Sequence, residues 1–353
     1  MYAADAFGDI DTKRCAKRYF PLDPLQLHAE LKTLKDKVDR VDGLIIGSGF
    51  ESADFSCLKQ TGRRKILGTA PEKTNEISNK AWFASRLDDL GIPHPLTYTG
   101  EALAELIAGG KHIPLHYPVV AKPAYGGGGT ANFFCKTEKE LIRWVTELPD
   151  FLYQDFIKGQ HASVSVLLSK RAAVAVSVNE QLIGVDALSA PGPFVYCGNI
   201  APFVTKFSDR VCEIAAELTL ELGLLGSNGV DFVVTDDGPF VIEVNARLQG
   251  SLDSVELSTG LNMVEAHVNA VRGELPERGV TAKRYAVKAI VFAKYEGVVT
   301  SDFEGEGIVD IPEKGRIMKQ GEPVATAIGV GDTRASAYAD ATRKVERIKA
   351  GVR

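Results

Sequence analysis

The sequence lacks the cysteine pattern of a disulfide framework or a zinc site. Its five cysteines are odd in number and widely spaced, and no two of them form a C-x-x-C pair, so we interpret most of them as buried small apolar residues. The sequence also lacks an apolar run of the roughly 20 residues that cross a bilayer, and its start has no basic segment followed by a hydrophobic one. We therefore expect a cytoplasmic protein that has no membrane partner.

An excess of basic charge is missing too. Lys and Arg number 41 against 46 Asp and Glu, which gives a formal net charge of -5, and no lysine or arginine stripe stands out. Nucleic acid is therefore not an expected partner. With 353 residues, of which 45% are hydrophobic, the chain can bury a sizeable core and should divide into two or three lobes.

Two familiar nucleotide-binding motifs are also absent. No lysine follows the glycines at 126–129, which excludes a Walker loop, and a protein kinase would place its lysine on the strand after the glycines. Gly47-x-Gly49 follows a short buried strand that we expect at 41–46, but position 52 is Ser52, and the next strand ends without an acidic residue for a ribose. A dinucleotide site and a tight strand-to-helix turn that contacts substrate are both possible here, and we favour the turn.

What the sequence does contain is a hairpin with metal-type ligands. Two apolar runs within residues 229–247 flank an Asp-Asp-Gly-Pro turn, the composition of two strands and a tight connection. Because strand side chains alternate, Glu243, Asn245 and Arg247 project from one face, and Asp231 can point the same way. The hairpin could simply face solvent, but these hard oxygen ligands suit Mg²⁺ that still carries phosphate oxygens, and we predict a nucleotide-metal site.

A glycine loop lies upstream of this hairpin. Lys122 ends an apolar strand, and after three further residues come Gly126, Gly127, Gly128 and Gly129. Glycine permits close approach, so backbone N–H groups can line phosphate oxygens, and the lysine supplies a point charge. A flexible hairpin tip is the alternative. The lysine favours a phosphate site.

Two further segments have weaker signals. Lys80 lies near the first turn of a helix that Asn75 or Ser78 can cap, where spacing alone indicates a solvated lysine. Residues 151–159 combine an apolar strand with polar residues before a turn. Such a segment can supply the apolar slot and backbone edge that adenine needs.

The order of these features resembles the pattern of ATP-grasp enzymes over roughly residues 75–275. A helix lysine, a strand lysine with a glycine loop, an adenine segment and a terminal D…E-x-N hairpin follow one another. The motifs GSGFE at 47–51, NEISNK at 75–80 and YCGN at 196–199 are similar to those of predicted carboligases related to biotin carboxylase. Some of these relatives are associated with genes for one-carbon carriers, which suggests cofactor biosynthesis and one-carbon metabolism.

The resemblance implies how ATP is held. Lys80 and Lys122 would bind the phosphates, and the four glycines would close over them. Gln154, with the backbone of Phe156 and Ile157, would hold adenine. Ribose-binding members usually have an acid where this chain has His161, which is therefore either a ribose contact or a surface histidine.

The resemblance also implies the metal and catalytic residues. Asp231, Glu243 and Asn245 would hold two Mg²⁺ ions, or Mn²⁺, with Glu243 bridging them. Arg247 would face the acyl phosphate and stabilise charge during phosphoryl transfer, together with Lys122.

Four residues are candidates for the substrate pocket. Their alternative is a purely structural function. They are Gly49, Glu51, Tyr196 and Asn199.

The resemblance implies an ATP-grasp fold that combines α/β and α+β parts. We expect an N-terminal Rossmann-like substrate lobe at 1–74, an ATP-grasp domain at 75–277 with a small lobe at about 117–153, and a C-terminal β-rich segment and helix at 278–353. The usual first strand and helix of the N-terminal lobe are missing. We therefore expect either that the natural start lies upstream or that this face is buried in a homo-oligomer.

The implied reaction is carboxylate–amine ligation. ATP phosphorylates a small carboxylate, and an amine then attacks the acyl phosphate to form an amide. The sequence has no convincing Ser/His/Asp or Cys/His set, and this chemistry requires no side-chain nucleophile. A bicarbonate-activating carboxylase and a non-catalytic nucleotide-binding regulatory module are the alternatives.

Overall fold

A computed structural model of the protein describes residues 1–23, 26–277, 279–303 and 305–353, without the side chain of His28. The strands are β1 (Tyr2–Asp5), β2 (Arg18–Pro21), β3 (Thr97–Thr99), β4 (Val119–Pro123), β5 (Phe133–Cys135), β6 (Phe151–Asp155), β7 (Gln160–Leu168), β8 (Ala173–Ile183), β9 (Tyr196–Ala201), β10 (Gly226–Val234), β11 (Pro239–Asn245), β12 (Tyr285–Phe292), β13 (Gly297–Val298), β14 (Ile308–Val309), β15 (Ile317–Met318) and β16 (Pro323–Gly331).

Eleven α-helices alternate with these strands along the described chain. They are α1 (Ile10–Cys15), α2 (Leu27–Val38), α3 (Gln60–Arg63), α4 (Pro71–Ser78), α5 (Lys80–Asp89), α6 (Gly100–Ala108), α7 (Glu138–Glu147), α8 (Ser208–Glu221), α9 (Leu252–Thr259), α10 (Met263–Arg272) and α11 (Arg334–Ala350). In the part of the chain that the structure describes, no helix is both long and apolar enough to span a membrane.

The N-terminal lobe contains the predicted parallel pairing, in reduced form. β1 and β2 pair in parallel, whereas the strand expected at 41–46 is only one parallel bridge between Leu44 and Ile66. The expectation of a full strand there was wrong. Residues 41–46 hydrogen-bond to residues 65–67 on one side only, and on the other side they line an open apolar groove where no strand of the described residues pairs with them. That groove, of about 860 Å³, is also lined by β1 and α2.

The small lobe is a four-stranded antiparallel sheet in the order β3-β6-β4-β5. Helices α6 and α7 cover it, and the core between them includes Leu103, Val119, Leu141 and Tyr153, all fully buried or nearly so. Thr137 accepts a hydrogen bond from the Glu140 N–H and so caps α7. The sheet includes β3, which precedes the range expected for this lobe.

The large lobe is an eight-stranded sheet in the order β11-β10-β7-β8-β9-β12-β16-β14. All pairings described in it are antiparallel. On one face α8 packs through Ile214 and Leu218 against Phe232 of β10. On the other face α9 and α10 cover a second cluster that includes Leu167, and α11 covers β12 and β16. The predicted combination of parallel and antiparallel parts is confirmed.

Candidate active site

The two predicted metal carboxylates are directly opposite each other. In the pairing of β10 with β11, Asp231 is the partner of Glu243 and Gly229 is the partner of Asn245. Because side chains alternate, these residues share the face opposite to Phe232 and α8. They line a cavity of about 400 Å³ between the small and large lobes.

Asp231 is held by two amides. Gln181 Nε2 donates to Asp231 Oδ1 at 3.0 Å, and Asn245 Nδ2 donates to Asp231 Oδ2 at 3.1 Å. Burial, followed by the nearby charge of Glu243, raises the pKa of Asp231 to about 7. A cation between the two carboxylates would relieve this repulsion.

The donor set fits Mg²⁺ that keeps phosphate oxygens. Among the described residues, no group of three or more His, Cys, Asp or Glu side chains could hold a metal by itself, so protein carboxylates alone do not complete a coordination shell. Asn245 Oδ1 accepts from Arg247 Nη2 at 3.0 Å, and an amide oxygen has a second lone pair. Asp231, Glu243 and Asn245 could therefore hold Mg²⁺ together with a bound polyphosphate.

Lys122 lies on β4 and is buried. Its Nζ donates to Gln154 Oε1 at 2.9 Å, and Gln154 Nε2 donates to Thr97 Oγ1 at 2.7 Å. Burial lowers the pKa of Lys122 to about 8, with Glu243 opposing this shift and Lys80 adding to it. A bound phosphate would supply the negative charge that the neutral amide of Gln154 does not give to Lys122.

Lys80 approaches the same cavity from α5. The predicted caps Asn75 and Ser78 were wrong, since both lie inside α4, which Pro71 starts at its first position. Asn79 instead separates the two helices, and its Oδ1 accepts hydrogen bonds from the N–H groups of Ala81 and Trp82. Capping therefore fixes the first residue of α5.

The Lys80 ammonium lies between the glycine loop and Glu243, one of the predicted metal ligands. Its Nζ donates to Gly126 O at 2.5 Å and lies 3.8 Å from Glu243 Oε1. The side chain is buried. The solvated surface lysine that spacing indicated is therefore not observed.

The glycine loop rests against the large lobe. Gly127, Gly128 and Gly129 line the cavity, whereas Gly126 does not. Gly129 has a φ of +71°, and a Cβ there would lie 1.9 Å from Phe194 O, so the contact requires glycine. The Tyr196 N–H donates to Gly128 O at 3.1 Å, which places the loop beside the predicted substrate pocket.

The predicted adenine segment lines the small-lobe side of the cavity. Gln154, Phe156 and Ile157 are all in its wall, together with His161. His161 is half-buried, and burial lowers its pKa. Its partial burial in the cavity wall argues against a fully exposed surface histidine, and a ribose contact stays a prediction.

Only one of the four predicted substrate residues lines this cavity. Tyr196 does so, with its pKa raised by burial. Asn199 is fully buried, accepts from Tyr196 Oη at 3.1 Å and donates to Ser254 Oγ at 2.5 Å. Gly49 and Glu51 are outside the cavity wall. Hydrogen bonds within the protein engage polar groups of Asn199, Gly49 and Glu51, and direct substrate contact by these three stays a prediction.

Comparison with known proteins identifies the domain. Residues 77–251 match the ATP-grasp domain family. The chain carries an ATP-grasp domain. The predicted membership in this superfamily of ATP-dependent enzymes is confirmed, and so is the predicted fold class.

Two relatives resemble the chain in sequence. An uncharacterised protein of Methanocaldococcus jannaschii is 27% identical over 88% of this chain and 78% of its own length. The carbamoyl phosphate synthase large chain of Pyrococcus furiosus is 31% identical over 72% of this chain but only 24% of its own length. The chain thus spans about a quarter of that protein.

Two solved structures resemble the chain in fold. The L-amino acid ligase of Bacillus licheniformis has a TM-score of 0.72 at 18% identity, over 99% of this chain and 97% of its own. The biotin carboxylase domain dimer of Hydrogenobacter thermophilus 2-oxoglutarate carboxylase, in complex with MgADP and bicarbonate, has a TM-score of 0.72 at 18% identity, over 94% and 81%. At these identities the likeness is one of fold.

The ATP-grasp cavity has wall residues that sequence reasoning missed. Gln181 is the clearest, because it holds Asp231, yet it lies on β8 in no motif. Gln181 is two residues after the buried Asn179 and so lies on the same face of the strand. This spacing was the only feature that could have indicated Gln181. The other missed polar residues of the wall are Asn132, Ser163, Gln249 and Ser251, whereas Ser48 and Asp155 lie in the 47–51 turn and the 151–159 segment that the sequence had indicated.

Proposed function

We propose that the chain is an ATP-dependent carboxylate–amine ligase that acts on small molecules. One observation carries the proposal: a single cavity is lined by the Lys122 ammonium, three glycines of the loop, two facing carboxylates and a guanidinium, and the Lys80 ammonium lies 3.8 Å from Glu243 Oε1 of its wall. These groups can move a phosphoryl group onto a carboxylate, and among the described residues of the cavity wall no side chain is activated as the nucleophile of a covalent enzyme intermediate.

In the first step, a carboxylate oxygen of the substrate forms a bond to the γ-phosphorus of ATP, and the bond from that phosphorus to the β-phosphate oxygen breaks. ADP leaves. Lys122 and Lys80 orient the phosphates and balance their charge, and the N–H groups of residues 127–129 add dipoles from the loop. Arg247 binds oxygens of the forming acyl phosphate.

In the second step, the amine nitrogen attacks the acyl carbon, and the bond from that carbon to the phosphate oxygen breaks. The products are an amide and inorganic phosphate, which takes up the amine proton. The chain contributes exclusion of water, because the glycine loop rests on Phe194 and Tyr196. A hydrolysed acyl phosphate would waste ATP.

The metal site supports the same chemistry. Asp231, Glu243 and Asn245 would hold Mg²⁺, which supplies charge neutralisation for the transferring phosphoryl group. The proposal includes two metal ions at this site, Mg²⁺ or Mn²⁺. A function in biosynthesis of a one-carbon carrier cofactor belongs to it as well, and rests on the resemblance in residues 47–51, 75–80 and 196–199.

A second candidate is a carboxylase that activates bicarbonate. Its support is the likeness in fold to a biotin carboxylase domain bound to MgADP and bicarbonate. Bicarbonate carries its negative charge on oxygens of one planar carbon, as a carboxylate does, so Arg247 and the phosphate-binding lysines would serve it equally. A nucleotide-binding regulatory module is the third candidate.

The deciding experiment measures ADP release from MgATP with panels of small acids and amines and with bicarbonate. We expect ADP formation that needs both an acid and an amine, in equal amounts with the amide. Bicarbonate-dependent ADP formation without an amine would favour the carboxylase. Tight ADP binding without turnover, together with no ATP formation from MgADP and acetyl phosphate, would favour the regulatory module.

A further inference from the structure

One contact ties the N-terminal lobe to the ATP-grasp cavity. Glu51 Oε1 accepts a hydrogen bond from Arg247 Nε, 196 residues along the chain. Its other oxygen, Oε2, accepts from the Gly49 N–H at 2.8 Å. Both carboxylate oxygens are therefore engaged, and the turn that contains Gly49, with a φ of +89°, holds the carboxylate in one orientation.

The guanidinium has three protein acceptors among the described residues. Besides the bond from Nε to Glu51, Nη1 donates to Leu248 O at 3.2 Å and Nη2 donates to Asn245 Oδ1 at 3.0 Å. A guanidinium carries five N–H groups, so one N–H on each terminal nitrogen is left over. Arg247 lines the cavity beside Gly127, and two neighbouring N–H groups can bind two oxygens of one anion.

Glu51 also restrains Arg247 from a competing interaction. Asn245 bridges Arg247 and Asp231 through its two amide atoms, so the guanidinium is close to the metal carboxylates. Without a carboxylate at Nε, the guanidinium would be drawn toward Asp231 and Glu243. That movement would take the guanidinium away from the substrate. It would also pair the guanidinium with a carboxylate that is needed to bind the metal.

We propose that Glu51 is a positioning residue that orients the Arg247 guanidinium, so that its terminal nitrogens bind the two oxygens of a carboxylate or acyl phosphate. This inference rests on the proposed function and deepens it. Glu51 acts through Arg247 and does not contact the substrate, because it lies outside the cavity wall and its oxygens are engaged. The N-terminal lobe thereby completes the anion site of the ATP-grasp domain.

The test uses two probes on the full chain. Acetyl phosphate reports turnover through ATP formation from MgADP, and inorganic phosphate reports anion binding in the presence of saturating MgADP, measured by calorimetry. In Glu51→Gln we expect the KM for acetyl phosphate and the Kd for phosphate to rise about tenfold, with the ADP affinity within about twofold of the wild type. Asp42→Asn, an exposed carboxylate of the same lobe, is the matched control and should leave all three unchanged.

A double-mutant cycle separates positioning from direct contact. Arg247→Lys should weaken both probes, and adding Glu51→Gln to it should cost nothing further, because Glu51 has no function without the guanidinium. Additive losses would overturn the proposal in favour of direct contact. Tighter phosphate binding in Glu51→Gln would overturn it in favour of a carboxylate that competes with substrate, and an unchanged Kd would mean a structural contact only.

The two probes also separate this proposal from the proposed function. If wild-type protein binds phosphate in an Arg247-dependent way but forms no ATP from acetyl phosphate, the ligase proposal fails, and the effect of Glu51→Gln on phosphate binding still decides the positioning. If phosphate binding does not depend on Arg247, the positioning proposal is overturned whatever the turnover.

Discussion

Lys122 Nζ donates a hydrogen bond to Gln154 Oε1 at 2.9 Å in the buried wall of the small lobe. A neutral amide is a weak substitute for a counter-ion, and burial accordingly lowers the pKa of the lysine to about 8. The lysine is thus close to losing its proton at a pH only slightly above neutral.

We predict that ADP affinity falls as pH rises through about 8, because only the protonated form of Lys122 attracts phosphates. Calorimetric titration with MgADP between pH 6.5 and pH 9.5 measures this. Lys122→Arg should flatten the profile, since arginine stays charged, and Lys122→Met should bind weakly, about tenfold or more, at every pH. If the ADP affinity of Lys122→Arg depends on pH as that of the wild type does, a group other than Lys122 is responsible for the pH dependence.

A second prediction concerns the facing carboxylates. Glu243→Gln and Asp231→Asn should each lower ATP formation from MgADP and acetyl phosphate by about a hundredfold or more, because they remove charge from the metal site. Asn245→Ala should act in the same direction. The Tm of each variant should stay near that of the wild type, since these side chains are not in the apolar core.

Asp237→Asn provides the control for these variants. It lies on the exposed turn of the same hairpin and should leave turnover unchanged. Full activity in Glu243→Gln would remove that residue from the metal site.

His161 gives a third prediction, because its side chain lies in the cavity wall and not on the outer surface. If it contacts the ribose, His161→Glu should bind ATP as tightly as the wild type or more tightly, since a carboxylate accepts hydrogen bonds from ribose hydroxyls. Comparing ATP with 2′-deoxyATP checks the assignment. A variant that weakens both nucleotides equally, by tenfold, would argue against a ribose contact.

The fourth prediction is a pH dependence of stability that arises at His267. Its Nδ1 accepts from the Ser227 N–H at 2.8 Å, so the neutral ring carries its proton on Nε2, 2.9 Å from Leu67 O. Burial lowers its pKa below the usual value of 6.5, with the Leu67 carbonyl opposing the shift. Below pH 6.5 the unfolded chain therefore binds more protons than the folded chain, and the stability contribution present above that pH is lost as pH falls.

Urea unfolding at pH 7.5 and 5.5 measures the effect. We expect the wild type to lose more stability between these values than His267→Gln does, by at most about 1.4 kcal/mol, because pH 5.5 lies one unit below the usual pKa. His112→Gln, at an exposed position, should behave as the wild type. Equal losses in the wild type and in His267→Gln would show that His267 does not titrate in this window.

Local patterns in the sequence were sufficient for much of the site. The period-two alternation of the terminal hairpin determined that Glu243 and Asn245 share a face, and the structure adds that Asp231 is the direct partner of Glu243. The glycines after Lys122 indicated a phosphate loop for the same reason, because backbone freedom is a property of the residue itself. Such features depend on neighbours within a few positions.

What only the tertiary structure decided depends on contacts between distant segments. The spacing of Lys80 indicated only a solvated lysine, and the packing of α5 is what brings it to Gly126 and Glu243. Gln181 became a partner of Asp231, and Asn199 a support for Tyr196, through the order of strands in the large sheet. The hydrogen bond between Glu51 and Arg247 forms because the N-terminal lobe packs against the large lobe. Side chains so far apart in sequence leave no periodic trace, because their proximity is set by how sheets and lobes pack and not by the local chain.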